Sequence, residues 1–237
     1  MQTLSKKVLL ACSFMYNQPA CRELPYHNLK VVSYGKGSPN VVHKVTSEIL
    51  KDKPDIILNI GPASSHDPKY RLGDVIVGTH CACTGALDID SQNLIFHRGI
   101  EGANDRYTLF WRGDLSLIDL AMECAHSFEF HVQPGVIGTS DLRLRNRNRI
   151  AWMRNFFGTS CEDMEAGYLA YIAETYDIPF LSIQDVRESV FESSSIQEYE
   201  DLKDLKDLKY GSQKNSIHLV DAMCQKMMYE KNMKKNI

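Results

Sequence analysis

Apolar positions along the chain switch repeatedly between two spacings. Lys7–Ser13 (KVLLACS) and Leu29–Tyr34 (LKVVSY) are short strand-like runs, whereas Val41, Val45, Ile49 and Leu50 recur at helical spacing within Ser38–Lys51. Asp55–Asn59 (DIILN) is a continuous apolar run of the kind buried on both faces of a sheet, and the small residues Gly61–Ser65 after it predict a turn. Further strands are predicted at Gly73–Thr79, Gly135–Gly138 and Pro179–Ile183, and helices around Leu115–Phe128, Met164–Tyr176 and Ser216–Tyr229. Such alternation predicts an α/β sandwich with a largely parallel sheet.

In open α/β sheets ligands gather beyond the carboxyl ends of strands, where helix N-termini offer free N–H groups. That rule selects Ser13–Gln18, Gly35–Asn40, Gly61–Ser65, Thr139–Arg149 and Gln184–Ser189, with CEDMEAG (161–167) leading into a helix beside them. Gly35 and Gly37 ahead of a helix suit an anion or a plain strand-to-helix turn, and Ser64 and Ser65 suit a phosphate or a tight turn. His66 stands open between solvent and ligand. The run Asp141–Arg149 (DLRLRNRNR) would, if extended, point Arg143, Arg145, Arg147 and Arg149 to one face, as a solvated edge or a grip on an anion. The repeat DLKDLKDLK (201–209) reads as a charged surface helix or loop insertion.

Length and charge narrow the classes. The 237 residues, 43% apolar, suffice for one large core, so 1–237 is expected to be a single domain. A net charge of −3 and a pI near 6.2 give no reason to expect nucleic acid or a membrane as partner, and favour a small molecule. No window approaches the roughly 20 apolar residues of a bilayer span, so a cytoplasmic protein is expected. The seven cysteines contain no CxxC pair and predict buried, inert thiols. The eight histidines lack HxxxH or HExxH spacing, and the glycine loops lack a dinucleotide fingerprint, so no metal and no organic cofactor is expected.

Four blocks, in order, carry a resemblance: VVSYGKGSPNVVHKVTSEIL, KPDIILNIGPASSHDPKYRLGDVIVG, GVIGTSD and CEDMEAGYLAYIAETYDIPFLSI. Together they resemble the nucleoside phosphorylase and nucleosidase superfamily, which implies a three-layer α/β/α sandwich around a central mixed, largely parallel sheet. It also implies cleavage of the N-glycosidic bond of a nucleoside, with a purine as first expectation, by phosphate or by water, in nucleoside salvage. By the resemblance Met164 and Glu165 contact ribose, Glu165 accepting hydrogen bonds from the vicinal hydroxyls. Ser140, Asp141, Arg143 and Arg187 would face the base, and Gly35, Gly61, Ala63 and Ser64 would line the phosphate or water region. Glu162 and Asp163 read as helix-capping or solvated acids.

The chain departs from the family's pattern at three points. The Ser-Asp pair that follows the PF strand in purine-specific members falls here on Arg187-Glu188, making Glu188 the candidate general acid and Asp185 its alternative. An aromatic usually found against the base is replaced by Arg143, which suits an oxo-substituted base or an anionic ligand. Neither the phosphorylase arginine before Gly61 nor the nucleosidase glutamate after the first strand is present. Three readings follow: an active enzyme with altered residues, in which inorganic phosphate is a co-substrate if it is a phosphorylase and Arg22 or a neighbouring subunit supplies contacts; a nucleoside-binding or storage-type member without chemistry; or a protein whose arginine run takes a phosphorylated ligand. The resemblance further implies a homo-oligomer, with a dimer favoured.

Overall fold

The computed structural model describes residues 3–13, 21, 24–35, 37–85, 87–89, 95–97, 100–101, 107–142, 146–189, 191 and 214–234. Its main sheet contains β1 (Val8–Ser13), β2 (Leu29–Tyr34), β3 (Ile56–Ser65), β4 (Val75–Cys83), β9 (Phe110–Arg112), β10 (Val132–Thr139), β11 (Thr159–Asp163) and β12 (Phe180–Ser189). Short strands β5 (Leu87–Ile89) and β6 (Ile95–His97), and β7 (Ile100–Glu101) and β8 (Tyr107–Thr108), form two separate antiparallel pairs. Among the described residues five helices accompany them: α1 (Ser38–Lys51), α2 (Leu115–Ala125), α3 (Arg147–Phe157), α4 (Ala166–Thr175) and α5 (Lys214–Lys234).

Alternation within the apolar strands explains the layering. Leu9, Ala11 and Ile57 join one buried cluster with α1 and α4, while Val8, Leu10, Ile56 and Leu58 join another with α2 and α5. A strand that buries both faces therefore needs the continuous apolar run seen in DIILN. In α1 the stripe Val41, Val45, Ile49 is buried, with Pro39 in the first turn where its missing N–H costs nothing. Leu50, predicted as part of that stripe, is 70% exposed.

The fold is α/β, but the sheet is not the open central layer of a sandwich. Its strands run β11-β10-β4-β12-β3-β1-β2, with β9 on β4, and β11 also pairs antiparallel with β3. Cys161 opposes Ser65 and Glu162 opposes Ser64, so β3, β12, β4, β10 and β11 close into a ring. Register shifts at Gly135/Val136, Val136/Ile137 and Val186/Glu188 supply the bends that closure requires. Closure is also why Gly61–Ser65 is not a turn: these residues continue β3 and pair with β12. Gln184–Ser189, expected as a loop, likewise continues β12.

Seven of the described elements had no sequence expectation: α3, β11 and the short strands β5, β6, β7, β8 and β9. Asn146 caps α3 by accepting the N–H groups of Asn148 and Arg149, and Gly158 ends it at φ 68°. Arg147 and Arg149 thus lie in a first helical turn and not on an extended arm; Arg143 and Arg145 lie outside the described residues, as do 14–18, Arg22 and 201–209. All seven cysteines are free and buried, Cys81 and Cys83 both within β4. Among the described residues no helix is long and apolar enough to cross a membrane, and no cluster has the makings of a metal site.

Candidate active site

Glu165 stands between two helix starts. It is the N-cap residue of α4, only 5% exposed, and its Oε1 accepts the N–H of Gly37, the N-cap residue of α1, at 3.1 Å. Both helix dipoles present their positive ends to this carboxylate. Gly37 sits at φ 90°, a conformation that a side chain would strain, and this turns its amide toward Glu165. Next along the same loop, Ser38 gives its N–H to Asp141 Oδ1 at 3.1 Å and its hydroxyl to Oδ2 at 2.6 Å. Tyr168 donates to that Oδ2 at 3.4 Å. Met164 beside Glu165 is half-buried.

Beneath Glu165 runs a buried polar chain. Asp163 accepts the Thr139 hydroxyl at 2.6 Å, the Ala166 N–H at 2.8 Å and Gln184 Nε2 at 3.1 Å. Thr139 Oγ1 accepts the Gly167 N–H at 2.8 Å, so Asp163 and Thr139 together satisfy the start of α4. Gln184 Nε2 also lies 2.9 Å from Asn59 Oδ1, and Asn59 Nδ2 donates to the Tyr34 hydroxyl at 2.7 Å. Asp163 does cap a helix, as expected, but from the interior: it is 5% exposed, and burial, then Glu165, push its carboxyl up to about 8.

The remaining predicted residues divide by face. Glu188 accepts the Ser64 hydroxyl at 3.1 Å, and Ser64 lies between Glu188 on β12 and Glu162 on β11, three residues before Glu165. Arg187 falls in the β12 bulge, its Nη1 buried with no hydrogen-bond partner among the described residues. Gly61 lies against Gln184, where an added Cβ would come within 2.8 Å of Oε1; Gly35 lies against the Asn40 side chain. Ala63 is buried in the α1/α4 core. Ser140 donates its N–H to the Asp163 carbonyl and its hydroxyl to the Leu142 carbonyl. Asp185 stands apart: it accepts the N–H and hydroxyl of Ser216 at 3.1 and 2.5 Å, which anchors the first turn of α5. Its neighbours Leu181 and Ile183 on alternate positions belong to the α2/α5 core, away from Gln184 and Asp163.

Glu162 and His66 are not solvated. Glu162 meets Arg149 at 3.5 Å and lies 3.9 Å from His66 Nε2, while His66 Nδ1 bonds to Thr159 Oγ1 at 2.7 Å. Burial and the Arg149 charge lower the His66 pKa to about 4, so at neutral pH the ring is uncharged and its approach to Glu162 is not an ion pair. A depressed pKa leaves its share of stability intact above the unfolded value, near 6.5, and removes it as pH falls toward 4. His66→Gln is therefore expected to flatten the fall in Tm between those pH values, measured by calorimetry in a pH series.

Asn59 was not singled out from sequence, Thr139 and Gln184 fell in selected segments without a role of their own, and Asp163 was read as a capping or solvated acid and not as part of a buried network. A signal for Asp163 existed: Thr159, Cys161 and Asp163 are the buried alternates of β11, a period of two just ahead of the helix.

Comparison with known proteins gives this geometry a setting. A curated 5′-methylthioadenosine/S-adenosylhomocysteine nucleosidase of Bacillus thuringiensis subsp. konkukian is 25% identical over 193 residues, 80% of this chain and 78% of that protein. Among solved structures, that nucleosidase from Campylobacter jejuni matches with a TM-score of 0.75 at 19% identity, covering 93% of this chain and 99% of the other. Futalosine hydrolase of Helicobacter pylori matches at 0.74 and 16% identity, covering 93% and 98%. A family model described as the Phosphorylase superfamily matches residues 24–217, and with the ring-closed sheet and the Glu165 site in that span, the chain belongs to the Phosphorylase superfamily.

Proposed function

We propose that this protein hydrolyses the N-glycosidic bond of a nucleoside, a purine nucleoside first among candidates, with water and not phosphate as the attacking group. The observation that carries the choice of water is the occupancy of the glycine loop. The amides that would cradle an anion already donate to carboxylates, Gly37 to Glu165 and Ser38 to Asp141. A phosphate entering there would meet two acids, which repel it. The similar proteins named as nucleosidases and as a hydrolase support the same direction.

In this reading Glu165 accepts hydrogen bonds from the two vicinal hydroxyls of ribose, for which a buried carboxylate is well matched. Glu188, oriented by Ser64, gives a proton to the base nitrogen as the C1′–N bond breaks and its electron pair leaves with the base. The water oxygen then bonds to C1′ and its proton returns to the Glu188 carboxylate, which restores the acid. Arg187, with one buried nitrogen unpartnered among the described residues, supports contact with an oxo or anionic group of the base.

A panel of purine and pyrimidine nucleosides, incubated with and without phosphate and analysed for free base, tests this. Base and free ribose are expected without phosphate. Base release that requires phosphate would make the protein a phosphorylase. Ligands that raise Tm without any base release would make it a nucleoside-binding member instead.

A further inference from the structure

Cys12 and Cys21 are nine residues apart in the chain and meet in the α2/α5 core, Sγ to Sγ at 3.7 Å. Cys12 is the second-last residue of β1 and is held on both sides, opposite Ser33 of β2 and Ile60 of β3. Cys21 belongs to no strand and stands in the span between β1 and β2. One sulfur is therefore fixed by the strand ladder and the other is free of it.

Their contact makes the two sulfurs unequal. The Cys12 S–H donates to the Cys21 sulfur, which favours the thiolate of Cys21 and lowers its pKa, against burial and the charge of Asp185, while the Cys12 pKa rises. In the other five cysteines burial pushes the thiol up: Cys81, Cys83 and Cys161 in the ring strands, Cys124 in α2 and Cys224 in α5. The thiolate is the nucleophilic form, so Cys21 is the sulfur to react first and Cys12 stands in place to resolve it.

We propose that Cys12 and Cys21 form a redox site: a hydroperoxide oxidises Cys21, and Cys12 resolves it to a disulfide that ties the end of β1 to the chain leading into β2. With hydrogen peroxide, the Cys21 sulfur attacks one oxygen, the O–O bond breaks, and the other oxygen leaves as water with the thiol proton, so that Cys21 becomes a sulfenic acid. The Cys12 sulfur then attacks the Cys21 sulfur, the S–O bond breaks, and the hydroxyl leaves as water with the Cys12 proton. Two thiols lose two electrons to one peroxide. The movement is short, because a disulfide spans about 2.05 Å and the sulfurs close by roughly 1.7 Å from 3.7 Å. Both side chains are 1% exposed, which bars bulky oxidants and selects one the size of water, admitted by local opening at the end of β1. The new bond encloses residues 13–20 and removes freedom from the unfolded chain, so oxidation stabilises the native protein.

The experiment exposes the natively folded full chain to hydrogen peroxide, then unfolds and alkylates it for peptide mass mapping. A Cys12–Cys21 crosslinked peptide is expected, with the other five cysteines alkylated, and a Tm about 3–8 °C above that of the reduced protein, reverting with dithiothreitol. Cys12→Ala is expected to stop at a Cys21 sulfenic acid, trapped by dimedone, and Cys21→Ala to leave Cys12 alkylated after the same exposure. The proposal is overturned by seven alkylated thiols in treated wild type, by a disulfide of any other pairing, or by a crosslink that forms only in urea. A Tm that does not rise, or a Cys12→Ala variant with no dimedone adduct on Cys21, overturns it as well. Mapping of the wild type needs no variant to fold. None of these readouts uses a nucleoside, so the outcome is separate from whether base is released.

Discussion

Glu165→Gln is expected to lower kcat/KM for base release by about a hundredfold or more, while moving stability by no more than about 0.5 kcal/mol. The size follows from two charge-assisted hydrogen bonds to the sugar hydroxyls, worth about 1.5–3 kcal/mol each, part of which the neutral amide forfeits. The fold tolerates the change because the α4 start is satisfied by Asp163 and Thr139, and the Gln oxygen can still accept the Gly37 amide. Steady-state kinetics on the best nucleoside of the panel, with a melting curve, check both halves. Unchanged kinetics would remove Glu165 from the site.

The second large effect runs the other way. Asp185→Ala is expected to cost about 2–4 kcal/mol of stability with kcat per folded molecule little changed, because a fully buried carboxylate with two bonds to Ser216 is lost and the start of α5 is left without acceptors. Urea unfolding and active-site-normalised rates separate the terms. The same substitution therefore distinguishes an anchor from a general acid, the alternative role that the displaced Ser-Asp pair left open for Asp185. Loss of turnover in a stably folded Asp185→Asn would return it to the chemistry.

Sequence alone carried the architecture where periodicity was strong. KVLLACS, LKVVSY, DIILN and the stripe of α1 form the elements their spacing predicts. It failed where small residues mean two things. Gly61-Pro62-Ala63-Ser64-Ser65 has turn composition, yet it continues β3 and its last two residues meet β11, a contact visible only once the ring is closed. The arginine run misled for a local reason, since Asn146 caps a helix in its midst. In the site, Glu165 and Glu188 stood out through the resemblance, whereas Gln184 and Asn59 did not: a buried amide reads in sequence like any polar residue on a surface, and only strand register brings them to Asp163. Asp185 stood as the alternative to Glu188 because sequence does not reveal the bulge at Arg187, which sets which face each presents.

The adjacent pair Gln184-Asp185 also bears on how β12 finds its register. A slip by one residue turns every side chain of a strand to the opposite face. In β12 it would carry Asp185 to the buried side where Asp163 and Glu165 already lie, and leave Ser216 facing an amide. Three acids would then crowd one interior, a state that mutual repulsion disfavours. The charge difference between two neighbouring residues thus discriminates against the misaligned strand as well as supporting the aligned one.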